Sequence, residues 1–158
     1  MFLVLPIEED DYFFDFGCGK GRVMLWAGKY IKSIGGVERD KEIFSILADN
    51  VRTLENQFID TKYNIHNMDV RDFDVDDNIT YAFFYDPFPY HIFYGVCRKL
   101  IESYERNNRK LYLIYCNEKA DITACIQGFG VFEKIDEIVD ETIECAKCFS
   151  IKIYRIGD

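Results

Sequence analysis

The chain alternates between short apolar runs that stop abruptly and longer stretches where apolar residues return at helical spacing. Residues 11–16 form the first run. Phe13, Phe14 and Phe16 make it nearly continuous, as a strand buried on both faces requires. From Gly21 to about Tyr30, residues Val23, Met24, Ala27 and Tyr30 recur with helical period. A second strand is predicted over Ser33–Glu38. Asp40 then caps a helix that reaches about Phe58, with Ile43, Ile46, Leu47, Val51, Leu54 and Phe58 on one face. A short third strand fits Tyr63–Asn67, and the acidic segment Asp69–Asn78 reads as a solvated loop. The fourth strand, Ile79–Tyr85, is stopped by Asp86-Pro87-Phe88-Pro89-Tyr90, because proline cannot extend a central strand.

The second half continues the same rhythm. A helix from Tyr90 to about Glu105 ends in the polar turn Arg106-Asn107-Asn108, and Lys110–Cys116 is the next buried strand. Asn117–Gln127 reads as a helix closed by Gly128. Val131–Val139 and about Cys145–Ile156 read as two longer strands turning at Asp140-Glu141, hence an antiparallel pair. Strand and helix in strict alternation imply an α/β fold. The expectation is a doubly wound, seven-stranded, mostly parallel sheet with a C-terminal antiparallel hairpin. No internal repeat, linker or low-complexity segment interrupts it, so residues 1–158 form a single domain.

Composition fits a packed domain: 158 residues, 49% of them apolar and 26 aromatic, bury a full core. The formal net charge of −9 removes the surplus of Lys and Arg that an extended nucleic-acid grip needs, so none is expected. Met1–Ile7 is too short for a membrane span and lacks the basic start of a signal peptide. No other uncharged run approaches that length. The reading is of a cytoplasmic protein without a membrane partner. The six cysteines sit mostly in apolar contexts, and Cys145-Ala-Lys-Cys148 lacks the further ligands of a zinc site, so no metal is expected.

The chemistry concentrates where strands end, since ligands of an open α/β sheet sit beyond the carboxyl ends of its strands. After the first strand comes Asp15-Phe16-Gly17-Cys18-Gly19-Lys20-Gly21-Arg22. Glycines at alternate positions there let the backbone approach a ligand and take positive φ. Asp15 is placed to meet a ligand's cationic end or to hold the glycine loop. Lys20 and Arg22 are assigned to the helix start or solvent. Glu38, about twenty residues past the loop, is suited to accept hydrogen bonds from both hydroxyls of a ribose. Asp69 is suited to accept from the amino group of an adenine. Asp86 closes the fourth strand as a candidate substrate ligand or proton acceptor.

Phe14-Asp15-Phe16-Gly17-Cys18-Gly19-Lys20-Gly21 resembles the glycine-rich first motif of class I S-adenosylmethionine (SAM)-dependent methyltransferases. Val37-Glu38-Arg39-Asp40 resembles their second motif, and Asn67-Met68-Asp69-Val70 their adenine-contacting loop. The resemblance covers nearly the whole chain. It implies a Rossmann-like fold that binds SAM as methyl donor through Asp15, Phe16, Gly17, Cys18, Gly19, Gly21, Glu38, Arg39, Asp69 and Val70. It also implies methyl transfer to a nitrogen, or oxygen, of an unidentified acceptor. Asp86-Pro87 matches the start of the Asp/Asn-Pro-Pro-aromatic turn of amine-methylating members. Phe88 replaces the second proline and Tyr90 stands one place late for the aromatic, so Asp86, Pro87, Phe88 and Tyr90 are the candidate catalytic turn. About ten residues precede the first strand, so the family's N-terminal covering helix is not expected. Either the acceptor site is open or a second copy covers it, as a homodimer would. Two alternatives stay open: a SAM-fold binding or regulatory module without turnover, and a dinucleotide-dependent oxidoreductase. The latter's fingerprint wants a small residue where Arg22 stands.

Overall fold

The structure is a computed structural model that describes residues 5–55, 57, 60–140 and 149–157. Seven strands form one sheet: β1 (Tyr12–Phe16), β2 (Ser33–Glu38), β3 (Lys62–Asn67), β4 (Tyr81–Tyr85), β5 (Leu111–Cys116), β6 (Glu133–Asp140) and β7 (Phe149–Ile156). Their spatial order is β3-β2-β1-β4-β5-β7-β6. Strands β1 to β5 pair in parallel, and β7 runs antiparallel to both β5 and β6. The doubly wound sheet and its antiparallel C-terminal pair are therefore as the sequence pattern implies. Glu141 of the expected Asp140-Glu141 turn, the segment with Cys145 and Cys148, Phe58 and residues 1–4 lie outside the described residues.

All five residues of β1 and all six of β5 are buried, because each strand has neighbours on both edges and helices on both faces. Helices α1 (Arg22–Ala27) and α2 (Lys41–Glu55) cover one face, where Met24, Leu47 and Val51 pack on Phe13, Ile34, Phe83 and Ile114. On the other face α3 (Tyr90–Arg106) and α4 (Ala120–Phe129) bring Phe93, Leu100, Ile122 and Ile126 onto Phe14, Phe16, Phe84 and Tyr115. Asp40 caps α2 as expected, its Oδ1 accepting from the backbone N–H groups of Glu42 and Ile43 at 2.9 and 3.0 Å.

Among the boundaries that differ from the sequence pattern, β4 begins at Tyr81 rather than Ile79 and β6 at Glu133 rather than Val131, and three more lie in helices α1 and α4. Helix α1 ends at Ala27, short of Tyr30. Helix α4 starts at Ala120, because Asn117 takes φ 56° and its N–H donates to the carbonyl of Ser150, prolonging the β5–β7 pairing past the strand end. The same helix runs through Gly128 and closes at Gly130, which takes the left-handed φ of 70°.

Candidate functional site

The strand order reverses between β1 and β4, so the loops leaving these two strands part in opposite directions and open a crevice. The first loop carries positive φ at Gly17 (82°), Gly19 (54°) and Gly21 (78°). It is folded back on β2: the N–H groups of Gly17 and Cys18 both donate to the carbonyl of Val37, at 3.0 and 3.1 Å. The Cys18 side chain is buried against Gly36, where an added Cβ would stand 2.9 Å from its Sγ. Burial pushes this thiol's pKa up, which leaves it a packing group rather than a nucleophile. Phe16 is fully buried and stacks on Phe84 with ring centroids 4.9 Å apart. Lys20 and Arg22 are exposed.

The second loop is docked on the first. A Cβ built on Gly17 would lie 2.6 Å from the Cβ of Pro87. The chain after β4 therefore touches the chain after β1 at a point where only glycine fits. Gly17→Ala must strain a positive φ and displace a proline. Together these should cost about 2–4 kcal/mol and lower the Tm by roughly 5–15 °C. Gly19→Ala meets nothing within 4 Å and carries only the φ strain, so its Tm should fall by roughly 2–4 °C. Equal losses in a thermal melt of the two variants would show that Pro87 does not seat on Gly17.

The two loops wall a cleft of about 220 Å3 lined by Gly17, Val37, Glu38, Arg39, Met68, Asp69, Val70, Pro87, Phe88, Pro89 and Ile92. Of the residues singled out from sequence, Gly17, Glu38, Arg39, Asp69, Val70, Pro87 and Phe88 line it directly. Asp15, Phe16, Cys18, Gly19, Gly21 and Asp86 are not among its lining residues, and Asp86 directly precedes Pro87, which is. Tyr90 begins α3 with its ring exposed, 6.3 Å from that of Tyr94, and does not line the cleft. Val37, Met68, Pro89 and Ile92 join the lining without having been singled out. Met68 and Pro89 are flanked by marked positions, whereas Ile92 comes in only because α3 starts at the turn.

Each carboxylate has its own setting. Glu38 Oε2 accepts from the Gly19 N–H at 3.0 Å and Oε1 from the Asp40 N–H at 2.8 Å, so it latches the glycine loop while facing the cleft. Asp69 is gripped by Arg71, whose Nε and Nη2 donate at 2.9 and 2.8 Å, and Arg39 Nη1 lies 3.7 Å away. The Arg71 hydrogen bonds hold its carboxyl far below the usual carboxylate range. Asp15 is buried under the loop. Burial first, and the Glu38 charge second, push its carboxyl up to about 8. Among the described residues no side chain or backbone N–H donates to it.

Asp86 takes φ 43°, left-handed for a residue other than glycine. Its Oδ1 accepts from the Tyr115 hydroxyl at 3.5 Å and its Oδ2 is 2.6 Å from the Lys119 ammonium. Lys119 sits at the N-cap of α4, and neither it nor Tyr115 is marked by any local pattern. Next to them Glu118, with no exposed side-chain surface, pairs with Lys152 at 3.2 Å and accepts from Tyr154 at 2.8 Å. This fixes the end of β5 against β7.

No protein-family model matches the sequence, and no curated protein sequence matches it. Solved structures do match in fold. An N-methyltransferase, NodS from Bradyrhizobium japonicum, superposes with a TM-score of 0.72 at 5% identity over 94% of this chain and 86% of that one. A SAM-dependent methyltransferase from Methanosarcina mazei gives 0.73 at 13% identity over 95% and 94%. Magnesium protoporphyrin IX methyltransferase from Synechocystis, with bound SAM, gives 0.67 at 13% identity over 94% and 72%. The fold is that of the class I SAM-dependent methyltransferases.

Proposed function

We propose that this chain is a SAM-dependent methyltransferase and that its acceptor atom is a nitrogen. The observation that supports this most is the seating of Pro87 on Gly17, which sets the Asp86 turn beside a glycine-rich loop with Asp15, Glu38 and Asp69 around it. The residues suit the donor. Glu38, though bonded to two backbone N–H groups, keeps lone pairs toward the cleft for ribose hydroxyls. Asp69, fixed by Arg71 at the far end, has an acceptor oxygen for an adenine amino group. Asp15 is a buried carboxyl without a described donor, a counter-charge for an α-ammonium group. SAM supplies an electrophilic methyl group on a sulfonium.

The chain's own task is alignment and exclusion of water, since an in-line displacement gains most from held geometry. The glycine loop holds the donor end through its backbone. Phe88 and Pro89 wall the cleft, and Ile92 closes it from α3. Asp86 presents a carboxylate at the rim to hold the acceptor nitrogen and take its proton.

Calorimetry with SAM, its product S-adenosylhomocysteine (SAH) and NAD tests the reading. The first two should bind at micromolar concentration and NAD should not. Glu38→Ala should weaken SAH about tenfold by removing charge-assisted hydrogen bonds to the ribose and slackening the loop. Absence of SAH binding to the wild-type chain would end this proposal.

A further inference from the structure

Asp86 has one seat for a cation, and the structure shows what fills it. Its Oδ1 is turned to the Tyr115 hydroxyl, while Oδ2 alone meets the Lys119 ammonium at 2.6 Å. A guanidinium fork wants both oxygens of a carboxylate, whereas a compact ammonium is satisfied by one. In sequence the carboxylate lies between Tyr85, whose exposed ring leans on Phe149, and Phe88, which packs edge-on to Phe84. Phe149 packs with the core of one sheet face and Phe88 with that of the other, so the seat for the cation is the carboxylate itself.

Resting on the methyltransferase reading above, we infer that the acceptor is a primary alkylammonium, the end of a lysine side chain or of a free aliphatic amine. Lys119 holds its place until it arrives. The Lys119 side chain is 64% exposed and that of Asp86 32%, so the pair is solvated and readily exchanged. Lys119 springs from the N-cap of α4, which it caps with no side-chain hydrogen bond, so its stem can swing without breaking the helix. The hydrogen bond to Asp86 raises the pKa of Lys119, which keeps it an ammonium and a poor nucleophile. Lys119 is thus a placeholder at the carboxylate and not itself the acceptor. The net charge of −9 draws cations toward the protein.

The step balances. The acceptor R–NH3+ gives one proton to Asp86, which passes it to solvent at the rim. The nitrogen lone pair forms the N–CH3 bond as the S–CH3 bond breaks, and that electron pair stays on sulfur. A secondary ammonium and a neutral thioether result.

The test uses the whole chain, wild type, Lys119→Ala and Lys119→Arg. SAH affinity is measured first. Cadaverine, Nα-acetyl-L-lysine methylamide and 1-butylguanidine are then supplied as acceptors with radiolabelled SAM. All three proteins should bind SAH alike. At least one amine should be methylated and the guanidine should not. Lys119→Ala should lower the KM for the amine about two- to fivefold with kcat within about twofold, as expected for removing an exposed competitor. Lys119→Arg, whose fork is poorly served by one free oxygen, should lower the KM as well but by less than Lys119→Ala. Turnover of the lysine amide alone assigns the source to a protein, and of cadaverine alone to a small amine. If SAH binds but neither amine is methylated by any of the three proteins, the alkylammonium assignment is overturned while the methyltransferase reading stands. If SAH fails to bind, the latter falls and this with it. An unchanged or raised KM in Lys119→Ala would overturn the role of Lys119.

Discussion

Asp86→Asn should lower kcat for methyl transfer about a hundredfold and leave SAH affinity within about twofold. Asparagine tolerates the left-handed φ of 43° that residue 86 adopts, and it keeps an oxygen to accept from Tyr115. The backbone turn and the seating of Pro87 on Gly17 should therefore survive. On the proposed reading, what the variant loses is the negative charge that would hold the acceptor and receive its proton, and positioned proton transfer contributes about 10²–10⁴-fold. Asp86→Ala should lose as much rate and, in addition, some stability, because alanine in the left-handed region costs about 1–2 kcal/mol. Steady-state kinetics, SAH calorimetry and a thermal melt on both variants separate these effects. A wild-type kcat in Asp86→Asn would remove Asp86 from the chemistry. A parallel loss of SAH affinity would show that it belongs to the donor's site instead.

The strand framework is readable from the sequence because burial on two faces demands unbroken apolar runs, and the runs end where chemistry requires a polar group. Ser33–Glu38 coincides with β2 for that reason, as Glu38 is both its last residue and a lining residue of the cleft. The close of α4 is less readable. Gly128 and Gly130 offer the same stop signal, and the choice goes to Gly130. The stacking of Phe129 on Tyr94, centroids 5.0 Å apart, keeps residue 129 helical. The start of α4 depends on backbone pairing between Asn117 and Ser150, a contact no local window contains.

The candidate site divides in the same way. Residues in a single motif, such as Gly17, Glu38 and Asp69, can be named from spacing. The partners that fix them lie outside each residue's own motif. Arg71 clamps Asp69 from two residues on, Glu38 is committed to the Gly19 N–H, and Lys119 reaches Asp86 across the gap between neighbouring strand ends. Charge pairing at the rim of a sheet is set by strand order, and strand order is where one-dimensional pattern carries least.

Asp15 gives the other large effect, and it should appear as pH dependence. Its carboxyl is pushed up to about 8 in the folded chain by burial and by Glu38, against an ordinary value of 3.8. A folded-state value above the unfolded one means that stability is fullest below about pH 4. It is lost as pH rises toward about 8, where the folded carboxyl finally ionises. Within that window the loss approaches about 1.4 kcal/mol per pH unit from this group. Asp15→Asn, which cannot ionise, should flatten the slope and melt several degrees higher than the wild type at pH 8. The same proton should be displaced when a cationic ligand group arrives. Near pH 7, SAH should therefore bind with release of up to one proton, seen as a dependence of the calorimetric enthalpy on the ionisation heat of the buffer. Asp15→Asn should bind SAH more weakly and release none. Parallel stability curves for the two proteins, with no buffer dependence in the wild type, would show that Asp15 is already ionised under its loop and that its burial is balanced by a donor from solvent.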